Sequence, residues 1–179
     1  MENLNDIFTT DPNAVAKHFK KGEIIQREGN NSSMAYIVKK GLLRSYTIDD
    51  KGKEHIFMFA SEGWLIADIE AQEFDHPNEL FIDAIEDSEV IVFDRTCLQR
   101  GELTVDQLKE QTRLMGRRIA VLQRRVIMLM SASAKERYDS FLTTYPNLPQ
   151  RVPQRMIASY LGITPQALST IRGVNARKK

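Results

Sequence analysis

The sequence predicts an α+β chain in three parts: an N-terminal antiparallel β-roll of jelly-roll type over 1–102, a long dimerisation helix over 103–130, and a helix-turn-helix domain over 131–179. Three observations carry this reading. Gly22, Gly29, Gly41, Gly52 and Gly63 interrupt the first third at intervals of roughly ten residues with short apolar runs between them, the texture of a β-sandwich or barrel. Val105 to Met130 reads as one helix with a heptad seam. Gln154 to Gly173 places apolar residues where two short helices pack around a tight turn.

Composition sets the limits. At 179 residues with 42% hydrophobic content, the chain is long enough to bury a proper core. Met1-Glu2-Asn3 is not the basic start of a leader, and no stretch approaches the roughly 18 apolar residues a membrane span needs, so a soluble, cytoplasmic protein with no membrane partner is expected. A single cysteine, Cys97, excludes an internal disulfide and a four-cysteine zinc or iron–sulfur site, and reads as a half-buried structural thiol. The net charge of +1 hides an asymmetry: residues 1–100 carry 11 Lys+Arg against 19 Asp+Glu, and residues 101–179 carry 14 against 5. A basic second half points to a polyanion.

In chain order, Met1 to Lys17 reads as a short helical lead-in, with Asp11-Pro12 as cap and first turn. Strands follow at Tyr36–Val38, Leu42–Ile48 and Ile56–Phe59. Asp49-Asp50-Lys51-Gly52 is a hairpin signal, since glycine takes the positive φ such turns require. The sheet continues through Leu80–Ile85 and Val90–Phe93. In the long helix, Val105, Thr112, Ile119 and Val126 share one seam position and Leu108, Met115, Leu122 and Leu129 the other. Of these, Leu108, Thr112, Met115, Ile119, Leu122, Val126 and Leu129 are the expected dimer contacts. A second set, Leu114, Val121, Met128 and Met130, lies off the seam and suits packing against the helix's own domain. The alternative is a core helix of a monomer. Arg113, Arg117, Arg118, Arg124 and Arg125 are expected to cover apolar surface with their stems and keep their guanidinium groups in water.

After Met130, Ser131-Ala132-Ser133 offers a cap for a new helix, whose inner face is Ala134, Tyr138, Phe141, Leu142 and Tyr145. Pro146 and Pro149 end it and leave a linker. In the last segment Ile157, Leu161, Ile163, Leu168 and Ile171 pack the two helices, Ala158 is small at their crossing, and Gly162 sits at the turn. Thr164 caps the second helix and Pro165 occupies its first turn. A helix so placed enters a DNA major groove with its N-terminal residues toward the base edges. Its outward residues are Gln166, Ala167, Ser169, Thr170 and Arg172: Gln166 suits adenine, Ala167 a thymine methyl, and Ser169 or Thr170 bases or phosphates. Thr164 belongs to the same DNA-facing set. Arg155, Arg172, Arg177, Lys178 and Lys179 supply phosphate contacts, which position without reading sequence. The sequence ends seven residues after Arg172, so any wing is expected to be very short. An ordinary helical hairpin is the plain alternative.

The order Lys21-Gly22-Glu23, Arg27-Glu28-Gly29, Tyr36-Ile37-Val38, Gly41, Arg44 and the Gly52 hairpin, closing with Ala84 to Val90, resembles the cyclic-nucleotide-binding-type β-roll of the Crp/Fnr transcription regulators. With the long helix and the helix-turn-helix, the resemblance covers nearly the whole chain. It implies a homodimeric regulator that binds a pseudo-palindromic site on double-stranded DNA, with RNA polymerase and a small-molecule effector of unknown identity as further partners. An effector or a fixed contact in the roll would then shift the long helix and, with it, the spacing of the DNA-reading helices. Gln166 falls where the family commonly reads bases with an acidic residue, and Thr170 where it uses arginine, so a different site preference is implied.

The ligand cassette departs from the family. Members that bind cyclic nucleotides hold the phosphate with an Arg followed by Ser or Thr, and here those positions are Asn78 and Glu79, while Ala67-Asp68 stands at the Gly-Glu step. Asp68 to Asp87 holds eight acidic residues and no Lys or Arg. Binding of cAMP or cGMP is therefore not expected, and a cyclic-nucleotide-responsive regulator of the same fold remains the alternative. His18, His55 and His76 are haem-ligand candidates on paper, with nothing to single one out. A cupin-like metalloenzyme is the rival from another class, but closely spaced histidines on adjacent strands are missing. No enzyme activity, cofactor or metal is assigned.

Overall fold

The structure, a computed structural model, describes residues 14–94 and 104–176. The chain divides into two compact units, Met1–Gln107 and Leu108–Lys179. In the first, the described elements are β1 (Val15–Phe19), β2 (Ile24–Gln26), β3 (Met34–Lys40), β4 (Leu43–Ile48), β5 (Glu54–Ala60), β6 (Leu65–Ile66), α1 (Ile69–Glu73), β7 (Phe81–Ala84) and β8 (Ser88–Asp94). They form two four-stranded antiparallel sheets, ordered β1-β8-β3-β6 and β2-β7-β4-β5, the roll that the glycine spacing predicts.

Strand β3 explains where the core lies. Successive side chains point to opposite faces, yet Ala35, Tyr36, Ile37 and Val38 are all buried. Tyr36 and Val38 join Leu43, Ala60, Ile82 and Ala84 between the sheets. Ala35 and Ile37 join Leu65, Ile91 and Phe93 on the opposite face of their own sheet. Two turns hold the strands in place. At the Gly52 hairpin, where φ is 75°, the Asp49 carboxylate accepts the Lys51 and Lys53 N–H groups at 3.0 and 2.9 Å. At Gly41 a Cβ would lie 2.3 Å from Ser88 Oγ. That hydroxyl is fixed there, accepting the Leu42 N–H at 3.1 Å and donating to the Glu86 carbonyl at 2.8 Å.

The expected helical lead-in needs correction where it is described: Val15–Phe19 is a strand, paired with β8 from Val15 opposite Val92 to Phe19 opposite Ser88. A partner strand 69 to 77 residues away in sequence overrides the local helical signal. Asp11, Pro12 and Cys97 lie outside the described residues.

Helix α2 (Val105–Ser131) starts three residues before the second unit and runs into it, and that unit also contains α3 (Ala134–Thr144), α4 (Leu148–Arg151), α5 (Gln154–Leu161) and α6 (Pro165–Ala176). Ser133 caps α3 in a full capping box with Glu136. The expected linker after Pro146 contains the single turn α4, which buries Leu148 and leads into buried Val152. Pro149 is tolerated there because the first helical N–H groups have no partner to lose. No described helix is long and apolar enough to cross a membrane.

Candidate nucleic-acid interface

Helices α5 and α6 meet around Gly162, which adopts φ 66° and ψ 33°, a left-handed conformation that a Cβ would disfavour. The Ile163 N–H reaches back to the Ala158 carbonyl at 3.0 Å and the Gly162 N–H to Ser159 at 3.0 Å, closing α5 in a Schellman-type turn. Thr164 Oγ1 then accepts the Ala167 N–H at 3.1 Å and caps α6. Ile157, Ala158, Leu161 and Leu168 are buried, and Ile163 and Ile171 half-buried, as a helix-turn-helix requires.

Burying Leu168 turns the opposite face of α6 outward. Gln166, Ser169 and Thr170 are exposed, as are Thr164 at the cap and Arg155 at the start of α5. The Thr170 hydroxyl donates to the Gln166 carbonyl at 3.1 Å and keeps its lone pairs for a further donor. Ala167 and Arg172 sit half-buried at the edge of that face. Lys178, with Arg177 and Lys179, lies outside the described residues.

The helix-turn-helix is braced by residues that face reasoning along α2 missed. Arg137 donates from Nε to the Ala132 carbonyl at 3.0 Å, from Nη2 to Leu129 at 2.9 Å and from Nη1 to Leu161 at 3.1 Å. One guanidinium thus satisfies the open carbonyl ends of both α2 and α5. Asn175 on α6 donates to Asp139 on α3 at 3.2 Å, and Asp139 also pairs with Lys135. Arg125 corrects the expectation of a solvated guanidinium: the group lies 4.3 Å over the Tyr160 ring and donates to the Tyr160 carbonyl at 3.2 Å. Burial lowers its pKa. Tyr160 belongs to an aromatic cluster with Phe141 and Tyr145, and burial raises the Tyr145 pKa.

Along α2 the seam is open to solvent. Val105, Leu108, Ile119, Leu122 and Val126 are between 41% and 67% exposed, Thr112 is exposed and Met115 half-buried. A core helix of a monomer would bury that seam. Leu129 lines the cleft beside Phe141 and Tyr160, together with Val121 and Met128 of the off-seam set. Met130 does not follow that set; it is 81% exposed. The side chain of Leu114, the remaining member, lies outside the described residues.

In the roll, Asp68 is nearly fully buried, and its carboxylate accepts the N–H groups of Ala71 at 3.3 Å, Glu79 at 2.8 Å and Leu80 at 2.9 Å. It is a structural anion that occupies backbone donors of the cassette. Asn78 is buried, its N–H donating to Asn30 and its carbonyl accepting from Gly29, while Glu79 is exposed. The guanidinium that is buried among the described residues of this unit serves another purpose: Arg44 makes a two-pronged pair with Asp83 at 2.8 Å on each prong, reaches Glu54, and lies 4.1 Å over the Tyr46 ring. Burial opposes its charge, but the Asp83 and Glu54 carboxylates more than offset that and raise its pKa. Tyr46 is pushed up to about 12, by burial first and then by Asp83. His55 pairs with Asp49 at 2.9 Å and His76 with Glu70 at 2.8 Å. Hydrogen bonding, first to the Pro77 carbonyl and then to Glu70, raises the His76 pKa.

Among the described residues, eight strands in two antiparallel sheets are followed by a long helix and a braced helix-turn-helix, each in a compact unit of the chain. Residues 16–101 match the cyclic nucleotide-binding domain family. Beyond that domain, the chain is similar to proteins named as Crp/Fnr-type regulators. It is 27% identical to an anaerobic regulatory protein of Aggregatibacter actinomycetemcomitans, with 88% of this chain and 65% of the relative covered. It is 29% identical to a fumarate and nitrate reduction regulatory protein of Yersinia pestis, covering 88% of this chain and 67% of that one. The chain therefore spans about two thirds of its relatives' length. Among solved structures, FixK2 from Bradyrhizobium japonicum superposes with a TM-score of 0.78 at 21% identity, over 92% of this chain and 85% of that one. A Crp/Fnr-family transcriptional regulator from Thermus thermophilus gives 0.72 at 19% identity, over 92% and 87%. Those two likenesses concern the fold.

Proposed function

We propose that the chain is a cytoplasmic, homodimeric, sequence-specific DNA-binding transcription regulator whose roll does not respond to cyclic nucleotides. The observation that carries the reading is the α5–Gly162–α6 turn: Leu168 is fully buried while Gln166, Ser169 and Thr170 face solvent at the N-terminal half of α6. That is the side a major groove receives, and glutamine, serine and threonine are hydrogen-bonding residues suited to base edges and phosphates. The basic balance of residues 101–179 supports it, as do relatives named as regulatory proteins. Dimerisation through the exposed α2 seam would set two copies of α6 about one DNA turn apart, on a two-fold-symmetric site.

Insensitivity to cyclic nucleotides rests on the cassette. Asp68 already fills its backbone donors, and no Lys or Arg occurs from Asp68 to Asp87, so a phosphate placed there meets carboxylates rather than a guanidinium fork. In the proposed mechanism another effector, or a fixed contact in the roll, biases the pose of α2, with RNA polymerase as the downstream partner. The test is selection of binding sites from a random DNA library by the purified protein at near-physiological salt, with and without cAMP or cGMP. An enriched two-fold-symmetric site, identical in both arms, is expected. Enrichment only with nucleotide would overturn the insensitivity, and none in either arm would overturn the DNA-binding reading.

A further inference from the structure

One side chain of α1 and two of the connection from α1 to β7 converge: one ligand atom from each of Glu70, His76 and Glu79 lies within 4.8 Å of the others. The backbone beneath them is fixed by other groups. Asp68 ties both ends of the connection, accepting from Ala71 at one end and from Glu79 and Leu80 at the other. Between them the His76 N–H donates to the Ala71 carbonyl at 3.0 Å, and Asn78 is paired on both backbone groups with the loop at residues 29–30. Asp75 turns the chain with φ 54°, the one non-glycine positive φ among the described residues.

The imidazole is oriented as metal-ligating histidines are. Its Nδ1 lies 2.8 Å from the Pro77 carbonyl, which only accepts, so Nδ1 carries the hydrogen and Nε2 is left as the coordinating atom. Nε2 points at Glu70 Oε2, 2.8 Å away. We propose that Glu70, His76 and Glu79 form a site for a divalent cation of the zinc class, with water completing the shell.

Donor set and geometry both argue for that class. One imidazole and two carboxylates suit Zn2+ or a neighbouring first-row ion over Ca2+ and Mg2+, which favour all-oxygen shells. Bonds of about 2.0–2.2 Å in a tetrahedral shell put donors about 3.3 Å apart. The present spread closes to that by rotation of Glu70 and Glu79, both exposed and on flexible stems. The two carboxylates balance the charge of the ion, and the stretch from Asp68 to Asp87 contains no Lys or Arg to compete for them. Sequence reading passed over the cluster because the three residues follow no metal-binding spacing; they meet only once Asp68 has closed the loop.

The site stands or falls apart from DNA binding. The test is calorimetric titration of Zn2+ into chelator-stripped full chain, in parallel with His76→Ala, Glu79→Gln and, as a control, His55→Ala. One ion per chain is expected, with affinity reduced at least about tenfold in His76→Ala and Glu79→Gln and unchanged in His55→Ala, since lost coordination costs no less than lost outer-shell support. Glu79→Gln keeps the backbone N–H that Asp68 holds, and circular dichroism checks that each variant is folded. Absence of binding at about 100-fold over a micromolar Kd, some −8 kcal/mol, would overturn the proposal. So would binding that His76→Ala and Glu79→Gln leave intact.

Discussion

Arg44 shows how one residue decides the interior of the roll. Its side chain is 6% exposed and that of Asp83 10%, so the pair is held away from water, with the ring of Tyr46 against one face of the guanidinium. Two charges taken from solvent gain little over well-packed apolar residues, but either one left alone is severely penalised. Arg44→Met therefore should cost about 3–5 kcal/mol in urea unfolding, because Asp83 is left buried and charged. Arg44→Met combined with Asp83→Leu should recover most of that loss. Glu54, which is 40% exposed on its side chain, can hydrate when its partner goes. A single variant as mild as an ordinary surface change would mean that Asp83 finds water or a new donor. Arg44 was visible in the sequence only as part of a family-like pattern, since its partner lies 39 residues away and pairs with it through strand register rather than spacing.

At the scale of elements, α3 offers the cleanest test. The Ser133 hydroxyl accepts the Glu136 N–H while Glu136 accepts the Ser133 N–H at 2.8 Å, so Ser133→Ala should cost about 1 kcal/mol. The Ser133 hydroxyl and backbone N–H also hold the Glu136 pKa below its ordinary 4.5. With the folded value depressed, the unfolded chain takes up the proton first as pH falls. The stabilisation is full above 4.5 and is lost as pH drops through the folded value. Glu136→Gln should accordingly flatten part of the acid-side fall in urea midpoint between about pH 6 and pH 3, while leaving the neutral-pH slope unchanged. The same box explains why this helix was legible: cap, periodic inner face and terminating prolines are all local signals. Helices α5 and α6 were legible for the same reason, each position having its own steric or capping duty. Strands β1, β2 and β6 and helix α1 were not, because two to five residues carry no measurable period and β1 depends on a strand at the far end of the unit. Arg125 escaped for a kindred reason. Periodicity along α2 placed it among solvated arginines, and its actual partner, Tyr160, is 35 residues on.

For the whole molecule, assembly turns on what covers the α2 seam. Ile119 and Val126 at one seam position and Leu108 and Leu122 at the other expose 64%, 54%, 48% and 41% of their surface. An apolar stripe of that kind on a helix otherwise rich in arginine marks an interaction surface. The heptad repeat matches a second copy of itself, since a two-fold axis brings each seam residue against its own counterpart. Full burial of a leucine stabilises by about 1.5–3 kcal/mol; Leu122 has 41% of its surface left to bury and symmetry counts it twice, so Leu122→Asp should weaken self-association by at least about 1–2 kcal/mol, a factor of about ten or more in Kd. Sedimentation equilibrium reads that change directly, and circular dichroism should show the fold intact, because Leu122 is among the exposed large apolar residues of the single chain. The same variant should lose affinity for a two-fold-symmetric DNA site far more than for a half-site, whereas Gln166→Ala should relax preference at one base position and leave the oligomeric state untouched. A wild-type chain that is monomeric at micromolar concentration, or a Leu122→Asp chain as dimeric as the parent, would assign the seam to some other partner and remove the geometric reason for a palindromic site.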